Sequence, residues 1–244
     1  MATALPASGG TPPDGSGCDA ADLYLIHNAF RRLYEVMPAG VRGTALGDRR
    51  RVEHVEQNVR LVNSALHHHH HLEDDMIWDT LEARRPACAL HVDLMRRHHA
   101  EVAELLDATE PLGARWRAAP SEATTEELAV HLEKISTLLH EHLDREEQLV
   151  VPVIEEAFSQ EEWDQVGAEG QKTYDRSQIF LFFGLIQDSL EPEQLADLLA
   201  EVPAMIRLLY ALYGRRSYEK KLDLLSAGTV HAGHYTPSAG GSAS

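Results

Sequence analysis

The chain has two cysteines in 244 residues, Cys18 and Cys88, too few for a disulfide framework. Cys18 lies in a Gly/Ser-rich leader, and a reducing cytoplasm is the compartment this cysteine usage fits. Basic residues are scarce, with 22 Lys and Arg against 39 Asp and Glu and a formal net charge of -17. That balance argues against nucleic-acid or anionic-membrane partners, which need clustered Lys and Arg to displace counterions. Long apolar runs are also missing. The longest, Ile179 to Ile186, is far short of the roughly 20 residues that span a bilayer. The opening MATALPASGGTPPDGSG has neither a basic n-region nor an apolar h-region and is expected to be a flexible tail rather than a signal peptide.

Hydrophobic residues make up 43% of the chain, enough to bury a core in one domain, or in one domain with an appendage. Residues 1–18 and 227–244 are rich in Gly, Ser, Ala and Pro and read as tails. Between them the pattern is helical throughout, with no strand ladder. Pro38, Ala39, Gly40, Gly43 and Gly47 mark a first loop, Pro86 opens a helix, and Pro111 to Pro120 form a further break. Four amphipathic segments result, at roughly 19–37, 49–84, 86–109 and 122–158.

A core-facing helical stripe alternates steps of three and four. In the first segment Leu23, His27, Phe30 and Tyr34 form such a stripe. In the second, Val52, Val55, Val59, Val62 and Leu66 lead into His69, Glu73 and Met76. His69 and Glu73 therefore continue an apolar seam, His70 stays close to it, and His67, His68 and His71 point elsewhere. In the third, Cys88, Val92, Met95, His99, Val102 and Leu106 form the cleaner stripe, with His98 as a competitor. In the fourth, Leu128, Leu132, Ile135 and Leu139 lead into His142, Glu146, Leu149 and Val153. The second and fourth segments align without gaps, H-H-H-L-E-D-D-M-I-W-D-T-L-E from His69 against H-L-D-R-E-E-Q-L-V-V-P-V-I-E from His142. An internal repeat of this kind suggests two equivalent half-sites.

Residues i and i+4 on a helix lie one above the other, so a His and a Glu so placed can share one ion. A four-helix bundle brings inward residues from each helix to a common level. The candidate ligands are His27, His69, Glu73, His99, His142 and Glu146. Four imidazoles and two carboxylates suit a pair of iron or manganese ions, whereas a single structural zinc would need four ligands and usually takes cysteine. Burying that many ionisable groups without a counter-ion is costly. Asp74, Asp75 and Glu147 are candidates to hold the outer ring nitrogens of the ligating histidines. His54, His131, His231 and His234 are read as non-ligands, and Cys88 as a packing residue.

At this point the chain resembles the hemerythrin-like proteins, which carry an H, HxxxE, H, HxxxE/D series on four helices. The resemblance covers roughly residues 20–160. It rests on I-H-N-A-F-R-R around His27, L-H-H-H-H-H-L-E-D-D-M-I-W-D-T-L, and H-L-D-R-E-E-Q-L-V-V-P. It implies an all-α, up-down-up-down four-helix bundle with an additional C-terminal helical segment, built around two non-haem iron ions. Those ions would be oxo- or hydroxo-bridged and spanned by Glu73 and Glu146, with manganese the less fitting metal. Oxygen-carrying members place a further His where this chain has Ala103, and end in HxxxxD where it has His142-x-x-x-Glu146. One ion would then have an open position, unless His70 or His98 fills it.

Residues 161–226 read as a helical appendage. Ser159 and Glu162 open it as a capping box, Pro192 opens a later helix, and Pro203 divides that. The apolar stretch Ile179 to Ile186 must be covered, and the appendage would pack on the bundle, close a channel to the metals, or form a homodimer. The leading functional expectation is a cytoplasmic di-iron protein that binds or turns over O2, hydrogen peroxide or nitric oxide in stress defence, as an oxidoreductase. A non-enzymatic O2, NO or iron sensor or carrier is the alternative, and metal storage a third.

Overall fold

The structure, a computed structural model, describes residues 17–174 and 176–233. The remaining tail residues, His234 among them, lie outside the described part. Among the described residues every regular element is helical. Four long helices, α1 (Ala21–Arg42), α2 (Arg49–Met76), α4 (Ala89–Ala118) and α5 (Glu122–Leu149), form a ring of neighbours. In it α1 packs on α2 and α5, and α4 packs on α2 and α5. Short helices α3 (Trp78–Arg84) and α6 (Val151–Ala157) continue α2 and α5, and a 3₁₀ turn at Pro86–Cys88 leads into α4. Local chemistry sets several starts. The Asp48 side chain accepts from Arg51 N–H, and Ser121 with Thr124, then Ser159 with Glu162, form capping boxes.

Three expectations about breaks are corrected. α1 does not stop at Pro38 but runs through it to Arg42. Gly40 lies against the last helix of the chain, Arg215–Ser226, where a Cβ would sit 2.0 Å from the Leu225 carbonyl oxygen. α4 likewise runs through Pro111 to Ala118. Beyond that proline Trp116 is fully buried and donates from Nε1 to Thr125 Oγ1 at 2.9 Å, so packing outweighs the proline's lost backbone bond. Conversely, the segments read as unbroken at 49–84 and 122–158 each bend once, at Ile77 (φ -102, ψ -54) and at Val150 (φ -113, ψ -46). These residues occupy the same position in the internal repeat. Each donates its N–H to the preceding carboxylate residue, Glu73 O or Glu146 O, at 2.9 Å. The repeat thus extends from side chains to backbone.

Two apolar clusters fill the interior. One gathers Phe30, Leu66, Val102 and Leu139, the other Leu23, Met76, Met95 and Val150. The inward His and Glu residues occupy the level between them in the sequence of every long helix.

The C-terminal helices are α7 (Gln160–Thr173), α8 (Arg176–Ser189), α9 (Pro192–Glu201), α10 (Ala204–Leu209) and, after a π turn at Tyr210–Gly214, α11 (Arg215–Ser226). α7 packs on α2, α8 on α1 and α2, and α11 on α1, α2 and α8. Leu181, Phe182 and Leu185 bury the apolar side of α8. Asp188 ties the segment to the bundle, accepting from Arg32 at 3.1 Å, from the Tyr218 hydroxyl, and from Gly233 N–H at 2.8 Å. Residues 227–233, expected with the tail, are held by that last bond and by Arg32 donating to His231 O at 3.1 Å. Cys18 is likewise held, with its N–H on Glu155 O at 2.9 Å.

Candidate metal centre

All six expected ligands meet in the middle of the bundle. His27 comes from α1, His69 and Glu73 from α2, His99 from α4, and His142 and Glu146 from α5, and each is at most 6% exposed. His70, held in reserve by its position beside the seam, joins them at 5%.

The donors fall into two groups that share one carboxylate. His70, Glu73, His99 and His142 form the first, and His27, His69 and Glu73 the second, with ligand atoms within 4.8 Å of one another in each. Glu73 faces both ways, with Oε1 3.2 Å from His69 Nε2 and Oε2 3.4 Å from His99 Nε2. Glu146 lies opposite, with Oε2 3.7 Å from His27 Nε2 and 3.5 Å from His142 Nε2. Both carboxylates therefore stand between the groups.

The Nε2 atoms of His27, His69, His70, His99 and His142, and all four oxygens of Glu73 and Glu146, are buried with no hydrogen bond of normal geometry. Each buried orphan of this kind costs about 1–3 kcal/mol, and here they converge on one level. A fold that turns so many lone pairs toward each other suits positive charge between them.

The outer nitrogens of two of these rings are, by contrast, firmly held. His99 Nδ1 pairs with Asp74 Oδ1 at 2.8 Å, and His27 Nδ1 with Glu147 Oε1 at 2.9 Å. Asp74 and Glu147 are the residues following Glu73 and Glu146, so each repeat supplies an inward carboxylate and then an acid that orients a histidine of another helix. Trp78 Nε1 also donates to Asp74, at 2.9 Å. Arg31, one turn after His27, grips Glu147 at 2.7 Å and Asp144 at 2.8 Å. Asp75, the third candidate for such a role, is exposed.

Protonation follows from this environment. Burial pushes the His70 and His142 pKa values well below the usual imidazole range, helped by neighbouring His99, and lowers that of His69 to about 4. These rings are neutral, the form that ligates. Burial opposes charge on His99 too, but Asp74 and Glu73 outweigh it and raise its pKa to about 9. Glu146 is pushed well above the carboxylate range by burial and then by Glu73. Glu73, despite burial, is drawn down to about 2 by His69 and His99.

The remaining histidines separate cleanly. His98 packs edge-on against His142 at 5.7 Å but belongs to neither donor group. His131 Nε2 lies 2.8 Å from Leu105 O. Cys88 is buried in the second apolar cluster, where burial raises its thiol pKa. On the His27 and His69 side the wall is aromatic. Phe30 lies 5.3 Å from His69 and 5.0 Å from Phe182, which is 5.5 Å from Tyr174.

The family model for the hemerythrin HHE cation-binding domain matches residues 19–154. The chain belongs to the hemerythrin HHE cation-binding family. No curated protein and no solved structure gives a significant match. Family membership and the two His/Glu groups together support a metal-binding protein. The HHE match ends before α7, so Phe182 and Tyr174 come from outside the domain that the family defines.

Sequence reasoning undervalued His70 because it sits one residue off the seam. The signal was present in the series Leu66, His70, Glu73, Ile77, in which every other member is buried. Arg31 was missed altogether, although it lies four residues after His27 and so on the same face.

Proposed function

We propose that this HHE protein holds two iron ions and binds or reacts with a small oxidant, O2, hydrogen peroxide or nitric oxide, in oxidative or nitrosative stress defence. The observation that carries the reading is the set of converging, partnerless imidazole nitrogens and carboxylate oxygens, split into two groups around Glu73. His70, His99 and His142 would hold one ion, His27 and His69 the other, with Glu73 and Glu146 shared. Nitrogen and oxygen donors without sulfur suit iron, and manganese less well in this family. Such a pair of ions supplies redox equivalents and an electrophilic binding position.

The protein's own contribution is positional. Asp74 and Glu147 fix two rings with Nε2 inward, and the neutral His69, His70 and His142 need lose no proton to ligate. The His27 and His69 side has two imidazoles against three, which leaves room there for a small exogenous ligand. Phe30 and Phe182 line that side with apolar surface and restrict it to small, weakly polar molecules. The same aromatic contacts support a second reading, in which the protein is a non-enzymatic sensor or carrier and α8 registers the state of the site.

Metal analysis with a visible spectrum, on protein purified without a histidine-tag column, tests the proposal. Two irons per chain and consumption of peroxide or nitric oxide support an oxidoreductase. A stable adduct without turnover favours the sensor or carrier. One zinc, or a folded chain with no metal affinity, rules out the di-iron centre.

A further inference from the structure

The run of five histidines is only partly used by the centre. His67 and His71 lie one turn apart on α2, their rings 6.0 Å apart and within 18° of parallel. His67 Nε2 is 3.5 Å from Asp107 on α4. The pair stands at the mouth of a groove of about 390 Å³ between α2 and α4, and the inner lining of that groove includes His70 and His99, whose rings stack 4.2 Å apart. His70 Nε2, buried and without a partner, therefore lies behind two accessible imidazoles of its own helix.

Two further features keep this route open. The α4 side is lined by Ala100 and Ala103, and Ala103 is the position where oxygen-carrying members have another His. Arg96 also lines the groove, but Asp79 at 2.6 Å and Glu82 at 2.8 Å offset its charge. A chain of net charge -17 draws cations toward its surface, and two imidazoles at i and i+4 can chelate a transition-metal cation from one helix face.

We propose that His67 and His71 form a loading port, which captures a divalent cation beside Asp107 and passes it along the groove to His70 and His99. The step is ligand exchange, with port imidazoles replaced by those of the centre and no change in oxidation state. It rests on the reading of the buried donors as a metal centre.

The test uses the full-length chain stripped by chelator, with ferrous iron added anaerobically and uptake followed by competition with a chromophoric ferrous chelator. The double variant His67→Ala/His71→Ala should reach the wild-type iron content but load roughly tenfold more slowly, because the local cation concentration at the mouth is lost. Ala103→Leu, which narrows the groove without removing an imidazole, should also slow loading, and His68→Ala should not. Wild-type loading rates in the double variant would overturn the port and leave the centre standing. A lowered final iron content in that variant would also overturn it, by making the pair ligands of the centre. No uptake by the wild type would sink port and centre together.

Discussion

Glu73 is the residue on which both donor groups depend, because its two oxygens face His69 and His99. Glu73→Ala should abolish binding of both ions, while His70→Ala, which removes a donor from one group only, should retain about one ion per chain. Elemental analysis of the purified variants distinguishes these, and equal metal content in both would refute the shared-carboxylate arrangement. Asp74→Ala and Glu147→Ala each free one ring nitrogen and should weaken metal affinity by roughly 10–100-fold, measured by chelator competition. A pH dependence follows as well. In the metal-free chain His69 has a pKa of about 4, and burial also holds His70 and His142 well below the usual imidazole range. The unfolded chain binds protons near pH 6.5 where these folded rings do not, so stability falls as pH drops from there toward 4. His99, raised to about 9, contributes stability that is complete below 6.5 and lost as pH rises through 9. Thermal melts of metal-free protein should therefore peak near neutral pH, and a flat profile between pH 4 and 9 would contradict the burial of these groups.

Among the helices, what could be read from the chain followed from periodicity and what could not followed from packing. The alternation of three and four selected His69 and Glu73 from an ambiguous run and placed His27, His99, His142 and Glu146 inward, because five or so aliphatics per seam fix the phase of a helix. Prolines were misleading. Pro38 and Pro111 read as breaks because each lacks an N–H, yet α1 and α4 pass through them, since distant residues such as Trp116 hold the following turns. The bend at Val150 had a local sign in Pro152, at the start of α6, but nothing in the text around Ile77 marks its counterpart. Only comparison of the repeats relates the two. Pro111→Ala should restore an exposed backbone hydrogen bond and stabilise the fold by about 2 kcal/mol. Gly40→Ala should do the opposite, costing about 3 kcal/mol by forcing a Cβ against the Leu225 carbonyl of α11. Calorimetry of the two variants checks both signs.

For the molecule as a whole, the HHE bundle and the C-terminal segment meet along α1 and α2, and among the described residues no helix is long and apolar enough to cross a membrane. The appendage leaves Met205, Leu208, Leu212 and Tyr213 more than half exposed, an apolar strip of the kind that marks an interface. This is the surface on which a homodimer through the C-terminal helices would form. Light scattering should then give twice the 27.1 kDa chain mass, and Leu208→Asp/Leu212→Asp should return the monomer with its metal content intact. A monomeric wild type would remove that expectation. In the internal repeat His69 matches His142, Glu73 matches Glu146 and acidic Asp74 matches acidic Glu147, but His70 has as its counterpart Leu143, fully buried in the apolar core, an exception among the donor positions. In the proposed centre that exception divides the labour, with one half anchoring and the other receptive. Leu143→His should erase the distinction, giving both ions three imidazoles, and the resulting cage should hold its metal while no longer binding nitric oxide.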